Sequence, residues 1–361
     1  MTTICLALLL LIPAMVQADE AAHRGLFVSV LDNRPVLSSR QQIADLVDYA
    51  KAAGIKTLFV QVYRANKAWF PSKVGDSAPY EKCLKELGED PLALLITQAH
   101  EEGIEVHAWL NLLSLSQNKA APLLTTYGPD ILTRNTTPKK SLEDYKIDNQ
   151  YFLEPGDARV RGALLLLVEE IARSYPTLDG IQFDYIRYPD VQPYYGHGEA
   201  KRFKRESGIK KITESDPSWR QWKRDQVTDL VKALTQKIRA IRPAMQVSTT
   251  GCVSYVRARE EAFQDWPVWI NEGIVDFVTI MSYPPDVATF NKNVVDALKR
   301  VDDPSKMNIA LGAYKLVKDP SVYEEQFNIC KQTKAGGCIV FHYDSLREAP
   351  MLGKITIEEG K

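Results

Sequence analysis

The sequence of 361 residues is short of almost everything that announces a cofactor or a nucleic-acid partner. Its five cysteines (Cys5, Cys83, Cys252, Cys330, Cys338) form no C-x-x-C pair, and its five histidines show no metal-ligand spacing. Neither a structural zinc site nor a metal-dependent hydrolase is therefore expected, because both need clustered donors. Basic and acidic residues balance at 45 and 46, with no block of Lys or Arg. A nucleic-acid partner needs a concentrated positive field to displace counterions from phosphates, so none is expected. There is no G-x-G-x-x-G and no P-loop to cradle a nucleotide. No cofactor is expected.

Long apolar runs are equally scarce. The single one, Ile4–Met15, leads into Val16-Gln17-Ala18 and then Asp19-Glu20. It falls short of the ~20 residues that span a bilayer, and the small-x-small site after it reads as a cleavable secretory signal at residues 1–18. The expected mature chain, residues 19–361, is secreted or periplasmic and has no membrane span. Export permits disulfides among the four remaining cysteines.

What the sequence has is alternation. Apolar runs at Gly25–Leu31, Thr57–Tyr63, Glu105–Asn111, Asp179–Ile186, Gln246–Cys252, Asp276–Tyr283, Met307–Tyr314 and Gly336–Tyr343 are expected as strands. Helical patterns with recognisable ends lie between them: Asp90-Pro91 opens one that stops at Gly103, and Asp157 opens Ala158–Ser174 ahead of Pro176. Strands alternating with helices pair in parallel, and eight such units close a (β/α)8 barrel of TIM type, one domain over residues 19–361. Two connections are oversized, residues 112–156 after the third strand and 188–217 after the fourth. Both leave the C-terminal end of a strand, where barrels build their active sites.

The fourth strand, running from Asp179 through Gly-Ile-Gln-Phe-Asp-Tyr-Ile-Arg-Tyr to Pro189, is the most informative segment. Strand side chains alternate, so Ile181 and Phe183 face the outer helices while Gln182 and Asp184 face the barrel interior. Asp184 then stands at the catalytic mouth. A carboxylate there is expensive unless it is hydrogen-bonded, paired or working; an ion pair with Arg187 is the structural alternative.

Motifs along nearly the whole chain carry a family resemblance. They include Thr57–Tyr63, Asp90-Pro-Leu-Ala93, Glu105–Asn111, Glu154-Pro-Gly-Asp-Ala-Arg-Val-Arg161, Asp179–Pro189, Asp276–Tyr283, Asn308–Tyr314 and Gly336–Leu346. Together they resemble the glycosyl-hydrolase-like family ten domain, which is related to bacterial peptidoglycan glycan-strand hydrolases. That family often has a second acidic residue directly after the first on strand four, where this chain has Tyr185.

The resemblance implies a glycoside hydrolase acting on a bacterial polysaccharide, peptidoglycan glycan strands first. The alternative is a carbohydrate-binding barrel without catalysis. Hydrolysis of a glycosidic bond generally needs two carboxyls, or one where an acetamido group assists. Asp184 is expected to be one. The partner is expected at Glu154, at the end of the strand-three insertion, or at Asp344 beyond strand eight, with Asp32 after strand one a weaker candidate. Glu154 can equally anchor a loop, and Asp344 can equally cap a helix. Substrate contacts are expected from Gln61, Tyr63 and Arg64 on strand two, His107 and Asn111 on strand three, and Gln182 and Arg187 around strand four. Tyr283 and His342 complete the set. Arg64 suits a carboxylated or lactyl sugar. Aromatic rings bunched after the strand ends (Trp69, Tyr185, Tyr188, Tyr194, Tyr195, Trp266, Trp269, Tyr283, Tyr314, Tyr343) suit the apolar faces of sugars.

Overall fold

The computed structural model describes residues 23–189 and 194–358, so the expected signal segment lies outside the described residues. Short polar residues start the helices. Ser39 accepts from the Gln42 amide, Asp90 from Ala93, Asp157 from Arg159 and Val160, and Asp216 from Ser218 and Trp219. Each cap satisfies amides that the first helical turn leaves without an internal partner. The helices that serve as the barrel's strand-to-strand layer are α1 (Arg40–Ala52), α2 (Pro91–Glu101), α3 (Ala158–Ser174), α4 (Pro217–Ile241), α5 (Trp266–Asn271), α6 (Val287–Leu298), α7 (Pro320–Lys331) and α8 (Pro350–Glu358), with further helices in the connections.

Between them run β1 (His23–Val28), β2 (Thr57–Arg64), β3 (Glu105–Asn111), β4 (Gly180–Asp184), β5 (Gln246–Cys252), β6 (Phe277–Ser282), β7 (Met307–Gly312) and β8 (Gly337–Phe341). Each strand pairs in parallel with the next, and β1 pairs with both β2 and β8. The sheet is therefore a closed (β/α)8 barrel, as the alternation implies. Ile181 and Phe183 pack outward under the helices, while Phe27, Phe59, Trp109, Ala310 and Ile339 fill the interior.

Three departures from the expected elements matter. β4 ends at Asp184, because Tyr185 turns into the left-handed region with φ 50°. The pattern near Arg259–Asn271, which reads in the sequence as one further helix, is instead broken into Tyr255–Glu260 and α5. β2 carries a bulge between Gln61 and Tyr63, so that Gln61 pairs with Trp109 and Tyr63 with Leu110. A bulge reverses the side-chain alternation beyond it. Tyr63, expected to contact substrate, therefore faces outward. It is fully buried, and its hydroxyl accepts from Asn66 Nδ2 at 2.9 Å. The same reversal turns Arg64 toward the barrel mouth.

The two long insertions are structured and lean on each other. Ser114–Ser116 pairs antiparallel with Tyr151–Phe152, and the amides of Gly196 and His197 donate to Thr133 Oγ1 and the Arg134 carbonyl at 3.0 Å each.

Candidate active site

A cleft of about 410 Å³ opens at the C-terminal ends of the strands, bordered by Asp32, Arg64, Asn111, Asp184, Tyr283 and Asp344 among others. A cavity of about 560 Å³ opens at the opposite mouth, between His23, Glu105, His107 and Asp276. Size favours the second, but barrel chemistry is built at the C-terminal face, and the carboxylate geometry described next lies in the first.

Asp184 is the most elaborately held side chain there. Its Oδ1 accepts from Thr250 Oγ1 at 2.6 Å and from the Tyr185 amide at 2.8 Å. Its Oδ2 accepts from Trp109 Nε1 at 3.0 Å and Asn111 Nδ2 at 3.1 Å. These donors come from β3, β5 and the turn after β4. The Asn111 amide is itself oriented: Gln61 Nε2 donates to Asn111 Oδ1 at 2.6 Å, while Gln61 Oε1 accepts from the Val30 amide at 3.2 Å. A relay thus crosses four neighbouring strands or their ends to fix one carboxylate, with protein donors aimed at both of its oxygens. The Arg187 guanidinium lies over the Tyr185 ring, 4.8 Å from its centroid.

The opposite wall is built differently. Asp32, just after β1, is buried, and its Oδ2 has no hydrogen-bond partner. Around it stand Asp344, Arg347 and His342. Arg347 is bound tightly to Asp344 and stands 3.7 Å from Asp32, and His342 Nδ1 is 3.6 Å from Asp32. Burial first, and the Asp344 charge second, push the Asp32 carboxyl up to about 7. Burial likewise holds His342 below its ordinary range, with Asp344 and Glu348 opposing it. Above the cleft, Tyr283, Tyr314 and Phe341 form an aromatic corner with ring centroids 5.3 to 6.0 Å apart. Tyr283 Oη is buried with no hydrogen-bond partner, and burial and the Asp184 charge raise its pKa well above the usual phenol value. It stays a proton-bearing donor for a bound ligand.

The structure brings Arg64, Asn111, Asp184, Arg187, Tyr283, His342 and Asp344 to the cleft. It does not bring the rest. Gln61 and Gln182 are fully buried below the site, Gln61 spent on Asn111 and Gln182 accepting from Ser248 at 3.5 Å. His107 lies at the opposite mouth of the barrel. Glu154, first choice for the second carboxyl, is 1 % exposed and sits between the two insertions, where it accepts from Tyr188 Oη at 2.5 Å. Burial pushes its carboxyl up to about 7. It anchors a loop, and the cleft lies elsewhere. Thr250 and the indole of Trp109 are the donors that sequence reasoning missed as such; strand parity alone places both inward.

Residues 23–329 match the model of the glycosyl hydrolase-like 10 family. The chain belongs to that family. Glycosyl hydrolase DigH of Escherichia coli K12 is 24% identical over 364 residues, covering 88% of this chain and 79% of that protein. Glycosyl hydrolase YngK of Bacillus subtilis is 23% identical over 376 residues, covering 94% of this chain and 68% of that protein. Among solved structures, α-L-fucosidase isoenzyme 2 from Paenibacillus thiaminolyticus superposes with TM-score 0.61 at 14% identity. That match covers 93% of this chain but only 49% of the fucosidase, so the barrel spans about half of that enzyme. The catalytic domain of Paenibacillus polymyxa β-amylase superposes with TM-score 0.59 at 9% identity, covering 94% and 98% of the two chains. These structures share the barrel. With the family, the chain is a glycoside hydrolase, and its substrate is a carbohydrate.

Proposed function

We propose that the protein hydrolyses carboxylate-bearing bacterial glycans outside the cytoplasm, with peptidoglycan glycan strands as the first substrate. The observation that carries the reading is Asp184, a carboxylate held by four donors at the strand ends of a cleft lined with aromatic rings. A preorganised negative charge stabilises the positive charge that develops at the anomeric carbon as the glycosidic bond breaks. Two guanidiniums, Arg64 and Arg187, border the same cleft. Arg64 is partly exposed and makes no ion pair among the described residues, leaving it available to a sugar carboxylate such as a lactyl group. The apolar run before Asp19 and a Cys330–Cys338 disulfide support export.

The test uses purified glycan strands, intact and with their lactyl carboxyls reduced to alcohols, and compares the wild type with Asp184→Asn. Wild-type protein should cleave intact strands and lose catalytic efficiency on reduced ones. Asp184→Asn should lower turnover by roughly 10²-fold or more with binding little changed, because one electrostatic stabiliser contributes ~2.7–4 kcal/mol to the transition state. A folded Asp184→Asn protein with near-normal turnover overturns the assignment.

A further inference from the structure

Two carboxyls face each other across the cleft in opposite surroundings. Asp184, the last residue of β4, has four hydrogen-bond donors. Asp32, after β1, has a buried Oδ2 with no partner. The nearest cation, Arg347, is committed elsewhere: it binds Asp344 closely, donates to Gln42 Oε1 at 2.8 Å and to the Arg34 carbonyl at 3.1 Å, and reaches only to 3.7 Å from Asp32. Asp344 in turn accepts from the Asn33 amide at 3.4 Å. One guanidinium thus serves two acids unequally, and the underserved acid is the one that meets the cleft without a hydrogen bond. Paired carboxyls in contrasting environments divide into a proton donor and a charge stabiliser.

We propose that Asp32 is the proton donor of the hydrolysis and that Asp344, through Arg347, is the positioning residue that keeps it protonated. This deepens the glycoside-hydrolase reading and rests on it. In the first step the Asp32 carboxyl gives its proton to the glycosidic oxygen while the bond from that oxygen to the anomeric carbon breaks. The bonding electron pair stays on the oxygen, which departs as an alcohol, and Asp184 stabilises the cationic sugar. Water then supplies the hydroxyl at the anomeric carbon, and its remaining proton returns to Asp32. The overall change is one glycoside and one water converted to two sugars.

The groups facing Asp32 are consistent with this role. Asp344 and Glu348 raise its carboxyl, Arg347 opposes them, and the largest influence is burial. His342 stands beside it with its own pKa lowered, and Tyr343, whose pKa is raised, feels its charge. Asp184, Arg64 and Arg187 border the same cleft.

The experiment compares an intact glycan, whose sugar alcohol leaves poorly, with a dinitrophenyl glycoside of the same sugar, whose leaving group needs no proton. Asp32→Asn should lose about 10² to 10⁴-fold on the glycan, the range general acid catalysis supplies, and less than about tenfold on the dinitrophenyl glycoside. The basic limb of its kcat/KM profile should disappear. Asp344→Asn keeps the donor, removes a neighbouring negative charge and releases Arg347 toward Asp32, so its basic limb should move to lower pH. This second variant remains informative if Asp32→Asn fails to fold. Equal losses on the two substrates, or a basic limb that Asp344→Asn leaves in place, overturn the assignment to Asp32 while leaving the hydrolase reading standing. A folded wild-type protein that turns over neither substrate overturns the hydrolase reading, and the proton donor with it.

Discussion

Glu154 and Asp32 show how strongly burial sets the behaviour of a carboxyl. Both are pushed up to about 7, chiefly by loss of solvent, yet only Asp32 borders the cleft. Their shared sign has a consequence for stability. A carboxyl whose folded pKa lies above its unfolded one holds its proton in the native state where the unfolded chain has released it. Its contribution is complete below the unfolded pKa and is lost as pH rises through the folded value. Between about pH 4.5 and pH 7 both groups therefore make the protein less stable as pH rises. Urea unfolding should show a midpoint that falls across this window. Glu154→Gln, which keeps the shape but cannot ionise, should remove about half of that slope and be at least as stable as the wild type at pH 8. An unchanged slope would mean that Glu154 is ionised in its pocket without penalty.

At the scale of single elements, β4 depends on one close approach. A Cβ on Gly180 would lie 2.3 Å from His107 Nδ1 and 2.9 Å from the Gln246 carbonyl, so the imidazole occupies the space that a side chain would need. His107 is fully buried, and its ring packs against Phe59 and Phe277 with centroids 5.3 and 5.8 Å away. Gly180→Ala should therefore destabilise by about 1–3 kcal/mol, the usual range for overpacking a filled core, measured by denaturant unfolding. A midpoint that does not move would show the imidazole can swing aside. Such strand-level facts mark the limit of what sequence reveals. The alternation, the caps at Asp90 and Asp157 and the inward parity of Asp184 are legible, because a period of two and a helix start are written in adjacent residues. The β2 bulge that turns Tyr63 outward and Arg64 inward is not, since one unpaired residue leaves no compositional mark. The donors Thr250 and Trp109 stay hidden for another reason: which residues of β3 and β5 sit level with Asp184 depends on the stagger of the closed sheet. Glu154 misleads because its insertion folds back onto the other insertion instead of over the mouth.

The whole molecule is a ring whose first and last strands meet. The Cys330–Cys338 disulfide joins the end of α7 to the start of β8, at the mouth opposite the cleft, while Cys83 and Cys252 are buried thiols outside any disulfide. If the protein is exported as proposed, material recovered outside the cytoplasm should begin at Asp19 and carry this one bond by intact mass. Reducing it should lower stability by about 2–3 kcal/mol, the chain-entropy value for so short a loop, and leave turnover of the folded protein unchanged. A mature chain that retains residues 1–18 would sink the export proposal. Ring closure also has a temporal meaning. Asp184 and its donors come from the middle of the chain, whereas Asp32 acquires Asp344 and Arg347 only when β8 docks against β1. During synthesis the charge-stabilising half of the machinery can assemble well before the proton-donating half exists. A nascent glycosidase of this design stays silent until its last strand is in place.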